Sequence, residues 1–399
     1  MGVQPVAVPP GEAALALLPR LAAALAGGAP VLPYAASAPL PPVPPHDPAG
    51  LPEDLVLVVG TSGSTGTPKR ALLGAGALRA SIAATSDRLG GPGQWLLPLP
   101  AHHIAGLQVL LRSLVAGTTP VVPDGRATDP AAAFAAAVAR LDPGARRYTS
   151  LVPTQLLRLL DDPRSGEALA TLDAVLVGGA ALPPALRRRA ARVGVRVVAT
   201  YGMSETAGGC VHDGRPLRGV AVRVEDDRVL LGGRTLAAGY LGRADLTEVA
   251  FLVDADALEP VERWFVTDDV GHLDPSGRLH VDGRVDDVIV TGGLKVAPRL
   301  VEEALTEHVP GVSEAVVVGV PDEQWGQAVA ALVVLGPTAS SPAAGAGREP
   351  TVRDVRAALR GILPDHALPR LVRTAPGLPL RGPGKPDRRA VGALLAVGD

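Results

Sequence analysis

The chain has 399 residues, 47% hydrophobic and 20% charged, so it is long enough for two or three domains and has an ordinary globular composition. A net charge of −2, with no basic block and no basic–aromatic interleaving, argues against a nucleic-acid surface. The single cysteine, Cys210, excludes an internal disulfide; with no signal-like or membrane-spanning run it points to a cytoplasmic protein without membrane insertion.

In chain order, the apolar N-terminal stretch GEAALALLPRLAAALAGGAPVL is interrupted by Glu12, Pro19 and Arg20 and reads as a short helix packed on the surface. The proline-rich segment 38–52 should be extended. From Leu55 onward short apolar runs (LVLVV, QWLLPL, TPVVP, AVLVGG, VRVVATYG) alternate with helical patterns at 130–141, 154–162 and 181–194. Strands separated by helices of that length imply parallel sheets with crossover helices. From about Gly219 close-set strands and turns suggest an antiparallel module. After Arg284 a helix at 298–309, strands at 314–321 and 328–335 and a helix at 351–363 suggest a small α+β unit. Segment 336–350 is poor in apolar bulk and should be a mobile loop. The fold class is therefore α/β: a large N-terminal domain with a small antiparallel module, then a small mobile α+β domain.

Between a strand and the rest of the chain stands TSGSTGTPKR, Thr61 to Arg70. Backbone N–H groups in a glycine-rich, hydroxyl-bearing loop suit a polyphosphate. The Walker A spacing fails, because Gly60 and Gly66 are five residues apart and Thr67-Pro68 follow. Taken alone, the loop is as readily an ordinary flexible turn. Of 38 Lys plus Arg only three are lysines, Lys69, Lys295 and Lys385, and one of them ends this loop.

The loop and five further segments, in the same order, resemble the motifs of the AMP-forming acyl-adenylating enzymes, the family of acyl-CoA synthetases, adenylation domains and luciferases. These segments are LVGGAAL (176–182), TYGMSETAGG (200–209), GGRTLAAGYLG (232–242), the long run 264–305 and PLRGPGKPDRRAV (379–391). All three lysines fall inside these segments, where a compact charge on a flexible stem differs from the planar arginine fork. The resemblance implies an adenylation domain over 1–284, a swinging domain over 287–399 and a hinge near Asp286. It implies ATP and Mg²⁺ as cofactors and coenzyme A as cosubstrate. It assigns phosphate contacts to Thr61, Ser62, Gly63, Ser64, Thr65, Gly66 and Lys69, and the adenine side to Gly178, Gly179, Ala180, Thr200, Tyr201, Gly202 and Thr206. Asp269 would meet the ribose, preferred over Asp268 because Val270-Gly271 follows it, and Arg284 would be a second ribose or phosphate partner. Glu205 would contact Mg²⁺, Lys385 would hold the acid against the α-phosphate, and the Gly292-Gly293-Lys295 loop would replace Lys385 for thioester formation.

Within the family, TSLVPTQLLRLLDD (149–162), HIAGL (103–107) and YGMSETAGG (201–209) are similar to the o-succinylbenzoate–CoA ligase branch of menaquinone biosynthesis. That places His103, Thr154, Gly208 and Gly209 at an aryl-acid pocket. Such an acid carries a second carboxylate on its succinyl arm, which an arginine or a set of hydroxyls should meet. His102-His103 could suggest a metal site, but neighbours on an extended segment point to opposite sides and no His/Cys cluster follows. The alternative is a stand-alone adenylation enzyme loading another aryl or acyl acid onto CoA or a carrier protein's phosphopantetheine; a non-catalytic relative is disfavoured by the intact Lys385, Glu205 and Asp269. The resemblance admits a homodimer.

Overall fold

The computed structural model describes residues 2–43, 50–61, 69–254, 261–336, 349–380 and 386–396. In the first sheet β1 (Gln4–Val8), β2 (Val31–Ala35) and β3 (Leu55–Gly60) run parallel, and β4 (Arg70–Gly74) returns antiparallel to β3. The N-terminal apolar stretch is a 3₁₀ turn followed by α1 (Leu18–Leu25). Pro19 is harmless in the first turn of α1, where an N–H has no intrahelical partner, and Leu17, Leu21 and Ala24 are buried. Strand β3 is buried from Leu55 to Val59, which explains a run of five apolar residues without alternation.

The second sheet holds the site. Strands β5 (Gln94–Leu96), β6 (Arg147–Leu151), β7 (Ala174–Val177) and β8 (Val197–Met203) are parallel, and β9 (Gly208–His212) and β10 (Arg215–Pro216) continue it antiparallel. Helices α2 (Ala75–Leu89), α3 (Ile104–Ala116), α4 (Pro130–Ala139), α5 (Pro153–Asp161), α6 (Pro163–Ala170) and α7 (Pro184–Arg192) surround these two sheets. The last four all begin with proline at the first turn. Helices α2 and α3 go beyond the predicted elements. Helix α3 is buried from Gly106 to Ser113 and is apolar nearly all round, so it carries little amphipathic signal. The run TPVVP forms only the single bridge Leu96–Val121, because Pro120 and Pro123 have no N–H for a ladder.

The predicted antiparallel module is present: β11 (Val220–Glu225), β12 (Arg228–Gly233), β13 (Phe251–Val253), β14 (Arg263–Leu273) and β15 (Leu279–Arg284), with α8 (Ala244–Ala250) leading into β13. A 3₁₀ turn, Val285–Asp287, then leads to the hairpin β16 (Ile289–Thr291) and β17 (Leu294–Val296). Helix α9 (Pro298–His308) packs on β18 (Val312–Asp322), which pairs antiparallel with β19 (Gly326–Leu335). Helix α10 (Val352–Leu359), strand β20 (Leu371–Thr374) and α11 (Arg388–Ala396) complete this unit, with β20 parallel to β19. Its apolar cluster, including Val301, Leu305, Val317 and Val329, is separate from the clusters under the first two sheets. The predicted loop 336–350 falls largely outside the described residues, as does part of the proline-rich segment. No described helix is long and apolar enough to cross a membrane.

Arg388, at the start of α11, holds the small unit together. It pairs with Glu302 of α9 at 2.6 Å and with Asp287 at 3.1 Å, and it donates to the Val317 carbonyl at 2.7 Å. Removing it leaves Asp287 and the Val317 carbonyl without this donor and Glu302 with the Val317 N–H alone. Arg388→Ala should therefore lower stability by about 2 kcal/mol, measured by urea denaturation, whereas an exposed arginine such as Arg353 changed to Ala should shift it by less than about 0.5 kcal/mol.

Candidate active site

The carboxyl ends of β6, β7 and β8 open onto one cleft, the position where open α/β sheets bind ligands. Two glycines allow the close approach that forms it. A Cβ on Gly178 would collide with Thr200 Oγ1. Gly202, at φ +155°, would collide with the Gly208 carbonyl across the β8–β9 pair. A cavity of about 120 Å³ lies beneath them, lined among others by Gln108, Arg112, Ser150, Gly178, Gly209 and His212. A dry cavity of comparable size in another protein holds one benzene ring.

Beyond the cavity, β8 runs into the 3₁₀ turn Ser204–Thr206. Glu205 there is 6% exposed and accepts a hydrogen bond from Tyr240 Oη at 2.8 Å. Burial pushes its carboxyl pKa up, while the Tyr240 bond and the Lys69 charge pull it the other way. Lys69 Nζ stands 5.4 Å from the centre of the Tyr240 ring. Ser204 Oγ donates to the Gly60 carbonyl at 3.3 Å and Thr61 N donates to the Lys69 carbonyl at 2.8 Å, so the base of the glycine-rich loop is fastened beside Glu205. Ser62, Gly63, Ser64, Thr65 and Gly66 lie outside the described residues.

Tyr201 Oη donates to Asp269 Oδ2 at 2.7 Å, joining β8 to β14. Burial and the Asp269 charge hold the phenol well above its usual pKa. Asp268, one residue earlier on β14, is exposed and pairs with Arg228 and Arg284 instead. Alternation along the strand thus turns Asp269 and not Asp268 towards Tyr201. Arg284 lies opposite Asp269 in the β14–β15 register, with its guanidinium on Asp268 at 3.1 Å. Thr206 Oγ1 accepts from the Met203 N–H and donates to the Gly208 carbonyl at 2.8 Å, which holds the turn. Ala180 is exposed after Gly179, which takes φ +78°.

Of the residues expected at the acid pocket, Gly208 and Gly209 line the cavity. His103 caps α3 one residue before the lining residue Ile104, and Thr154 follows two residues after the lining residue Val152. The His102 and His103 rings do not diverge: their centres are 4.2 Å apart, because this segment is a turn and not an extended strand. Among the described residues no group of three or more His, Cys, Asp or Glu side chains could hold a metal ion. Cys210 is buried, its thiol pushed up to about 12, and is no nucleophile.

Sequence reasoning missed Gln108, Arg112 and His212. Arg112 is 7% exposed, and burial pulls its pKa down to about 10. It lies 4.9 Å from the Trp95 ring and 3.4 Å from Thr85 Oγ1, and no carboxylate pairs with it among the described residues. The available signal was one charge inside the apolar helix LQVLLRSLVA. Asp286 lies exposed in the 3₁₀ turn before β16. Gly292 and Gly293, at φ +55° and +79°, turn the β16–β17 hairpin against Trp325, and Lys295 Nζ is 3.5 Å from Asp227 on the antiparallel module. Lys385 lies outside the described residues.

The architecture and this cleft define an enzyme of the acyl-adenylating fold. The family described as AMP-binding enzyme matches residues 15–264 and its C-terminal domain matches 300–385; the chain belongs to this family. Among individual proteins it is 46% identical over 342 residues to a "probable 2-succinylbenzoate–CoA ligase" of Mycobacterium tuberculosis, covering 85% of this chain and 84% of the relative. It is 35% identical over 292 residues to the 2-succinylbenzoate–CoA ligase of Salmonella typhimurium, 71% of this chain and 58% of that one. Among solved structures, the o-succinylbenzoate CoA synthetase of Bacillus subtilis with its acyl-adenylate intermediate superposes with TM-score 0.67 at 26% identity, over 84% of this chain and 68% of that one.

Glu205 gives this site a measurable signature. Its folded pKa lies above its unfolded value, so in that window the folded state binds the extra proton and stability falls as pH rises through it. Glu205→Gln should flatten that slope and raise the ligand-free melting midpoint above neutral pH by roughly 2 °C or more, read by calorimetry across pH.

Proposed function

We infer that this protein is an AMP-forming acid–thiol ligase that adenylates an aryl carboxylic acid, o-succinylbenzoate, and passes the acyl group to coenzyme A. The observation that carries the substrate is Arg112, a buried guanidinium in the cavity with no acidic partner among the described residues. A buried cation costs several kcal/mol unless it meets an anion. A diacid supplies one: a carboxylate that is not activated, at the end of an aromatic ring lying against Ile104, Leu151 and Leu176. The names of the relatives above support the same acid.

In the first half-reaction an oxygen of the other carboxylate attacks the α-phosphate of ATP; the bond from that phosphorus to the bridging oxygen of pyrophosphate breaks and an acyl-adenylate forms. In the second, the coenzyme A sulfur attacks the acyl carbon, its proton is lost, and AMP leaves with the carbon–oxygen bonding pair. Both steps use positioning and charge stabilisation, with no enzyme nucleophile. Tyr201, Gly178 and Gly179 would flank the adenine, Asp269 would accept from the ribose hydroxyls, and Lys69 with the loop from Thr61 would meet the phosphates. Glu205 fits a Mg²⁺ contact: a single buried carboxylate suits a cation whose other ligands are phosphates and waters. When bound, Mg²⁺ would neutralise phosphate charge. Lys385, on the resemblance, would hold the reacting carboxylate and phosphate together.

We assign residues 1–284 to the large unit and 287–399 to a small unit that swings about Asp286 between the two half-reactions. In this reading the acceptor is coenzyme A, supported by a cleft of about 500 Å³ on the small unit beside the Gly292 hairpin. Arg356, Arg360, Arg370 and His366 line it together with one acid, Asp365, and Arg370 stacks on Trp325 at 4.7 Å. Such a cleft suits an anionic nucleotide; a carrier protein would present phosphopantetheine without one. A cytoplasmic location and a homodimer belong to this reading on the lone buried cysteine and on the resemblance respectively.

The test is mass-detected thioester formation with ATP, Mg²⁺ and coenzyme A, offering o-succinylbenzoate, benzoate or a medium-chain fatty acid. The expected product is the o-succinylbenzoyl thioester alone, and Lys385→Ala should cut its rate about a hundredfold or more. Pyrophosphate release without any thioester would replace coenzyme A by a carrier protein. A thioester of the fatty acid in preference to o-succinylbenzoate would overturn the substrate.

A further inference from the structure

His212 ends β9, directly opposite Thr200 on β8, and lines the same cavity as Arg112. Its side chain is 0% exposed. Neither ring nitrogen has a hydrogen-bond partner among the described residues, and the Gly209 backbone approaches the ring without hydrogen-bond geometry. Buried polar groups in folded proteins are almost always satisfied, and a histidine serving packing alone would be expected to bond at least one nitrogen. The neighbouring groups repeat the pattern. Arg112 Nε and Gln108 Oε1 are also buried and unpartnered, although Gln108 Nε2 is spent on the Ala207 carbonyl at 2.6 Å. Three buried side chains from α3 and β9, each with an unmet polar atom, therefore border one cavity of about 120 Å³. Unmet groups gathered at one cavity indicate a polar ligand.

We propose that His212 is a specificity-determining residue: beside the Arg112 guanidinium, its imidazole N–H donates to the carboxylate of the acid that is not activated. This rests on the aryl-diacid reading above. Arg112 supplies the charge and His212 a second donor that adds none. Burial, then the charges of Arg112 and Arg88, hold the imidazole down to about 3, so it stays neutral with one N–H. The nearest acid in sequence, Asp213, is occupied by Arg187 at 2.8 Å and Arg88 at 3.5 Å and does not compete for Arg112. A second arginine at this position would face Arg112 with like charge across the cavity. A neutral imidazole avoids that, and a monoacid would leave it unsatisfied, which is how a site built to hydrogen-bond one group rejects analogues lacking it.

The experiment compares o-succinylbenzoate with two monoacids, benzoylpropionate and ortho-butyrylbenzoate, each lacking one of the two carboxylates. The monoacid that is adenylated identifies the activated end. The readout is the diacid-over-monoacid ratio of kcat/KM, measured on one preparation so that any loss of folded protein cancels. His212→Phe should lower that ratio about tenfold or more, and His212→Asn, which keeps an N–H donor, should recover part of it. Where His212→Phe does not fold, His212→Leu gives the same comparison against His212→Asn. A ratio equal to wild type in these variants would overturn the role of His212 while leaving the diacid reading intact. A wild type that neither binds o-succinylbenzoate in calorimetry nor adenylates it would overturn the diacid reading and this role together.

Discussion

Strand β8 sits where the second sheet changes direction, pairing in parallel with β7 at its start and antiparallel with β9 at its end. The switch works only because Gly202 presses against the Gly208 carbonyl and Gly178 against Thr200, contacts that no Cβ could share. From this one strand the rest of the site follows. Thr200 faces β9 and the cavity, Tyr201 reaches Asp269 on the antiparallel module, and the turn after Met203 carries Glu205 to Tyr240 and the base of the glycine-rich loop. Three distant stretches of chain that share one apolar core meet there without any functional side chain needing a long reach.

The second constraint is electrostatic. Glu205 and Arg112 are both buried beside the same strand pair, yet they do not pair with each other. Each is held by weaker partners, a phenol for the carboxylate and an indole face with a threonine hydroxyl for the guanidinium. Two uncompensated charges subtract from stability, and the usual return for such strain is ligand binding. The opposite signs separate the tasks: a carboxylate where a cation and phosphates would gather, and a guanidinium where an acid's second carboxylate would end.

Much of this architecture was legible in the sequence. The strands LVLVV, AVLVGG and VRVVATYG, the antiparallel module and the helix–strand–strand order after Arg284 are where pattern and turn chemistry put them. Strand alternation turns Asp269 to Tyr201 and Asp268 to Arg228 and Arg284. Helix α3 was not legible, since a helix buried nearly all round has no polar face to reveal its period; α2 exposes Arg79, Asp87 and Arg88 but is mostly small residues with little contrast between its faces. Of the cavity's lining, only Gly208 and Gly209 are singled out from the sequence for an acid pocket. Arg112, Gln108 and His212 come from α3 and β9, about a hundred residues apart, and only the packing of that helix beneath that strand gives them a common cavity. For Arg112 the one local signal, a charge inside an apolar run, is faint in a chain with so many arginines.

The central claim, that the Arg112 cavity receives a diacid for adenylation, is tested most directly by acid-dependent exchange of labelled pyrophosphate into ATP, without coenzyme A. The account predicts exchange driven by o-succinylbenzoate in the wild type and a fall of about a hundredfold in kcat/KM for that acid in Arg112→Met, which keeps the length and apolar stem but not the charge. Exchange with o-succinylbenzoate that is equally strong in the folded Arg112→Met protein would contradict it.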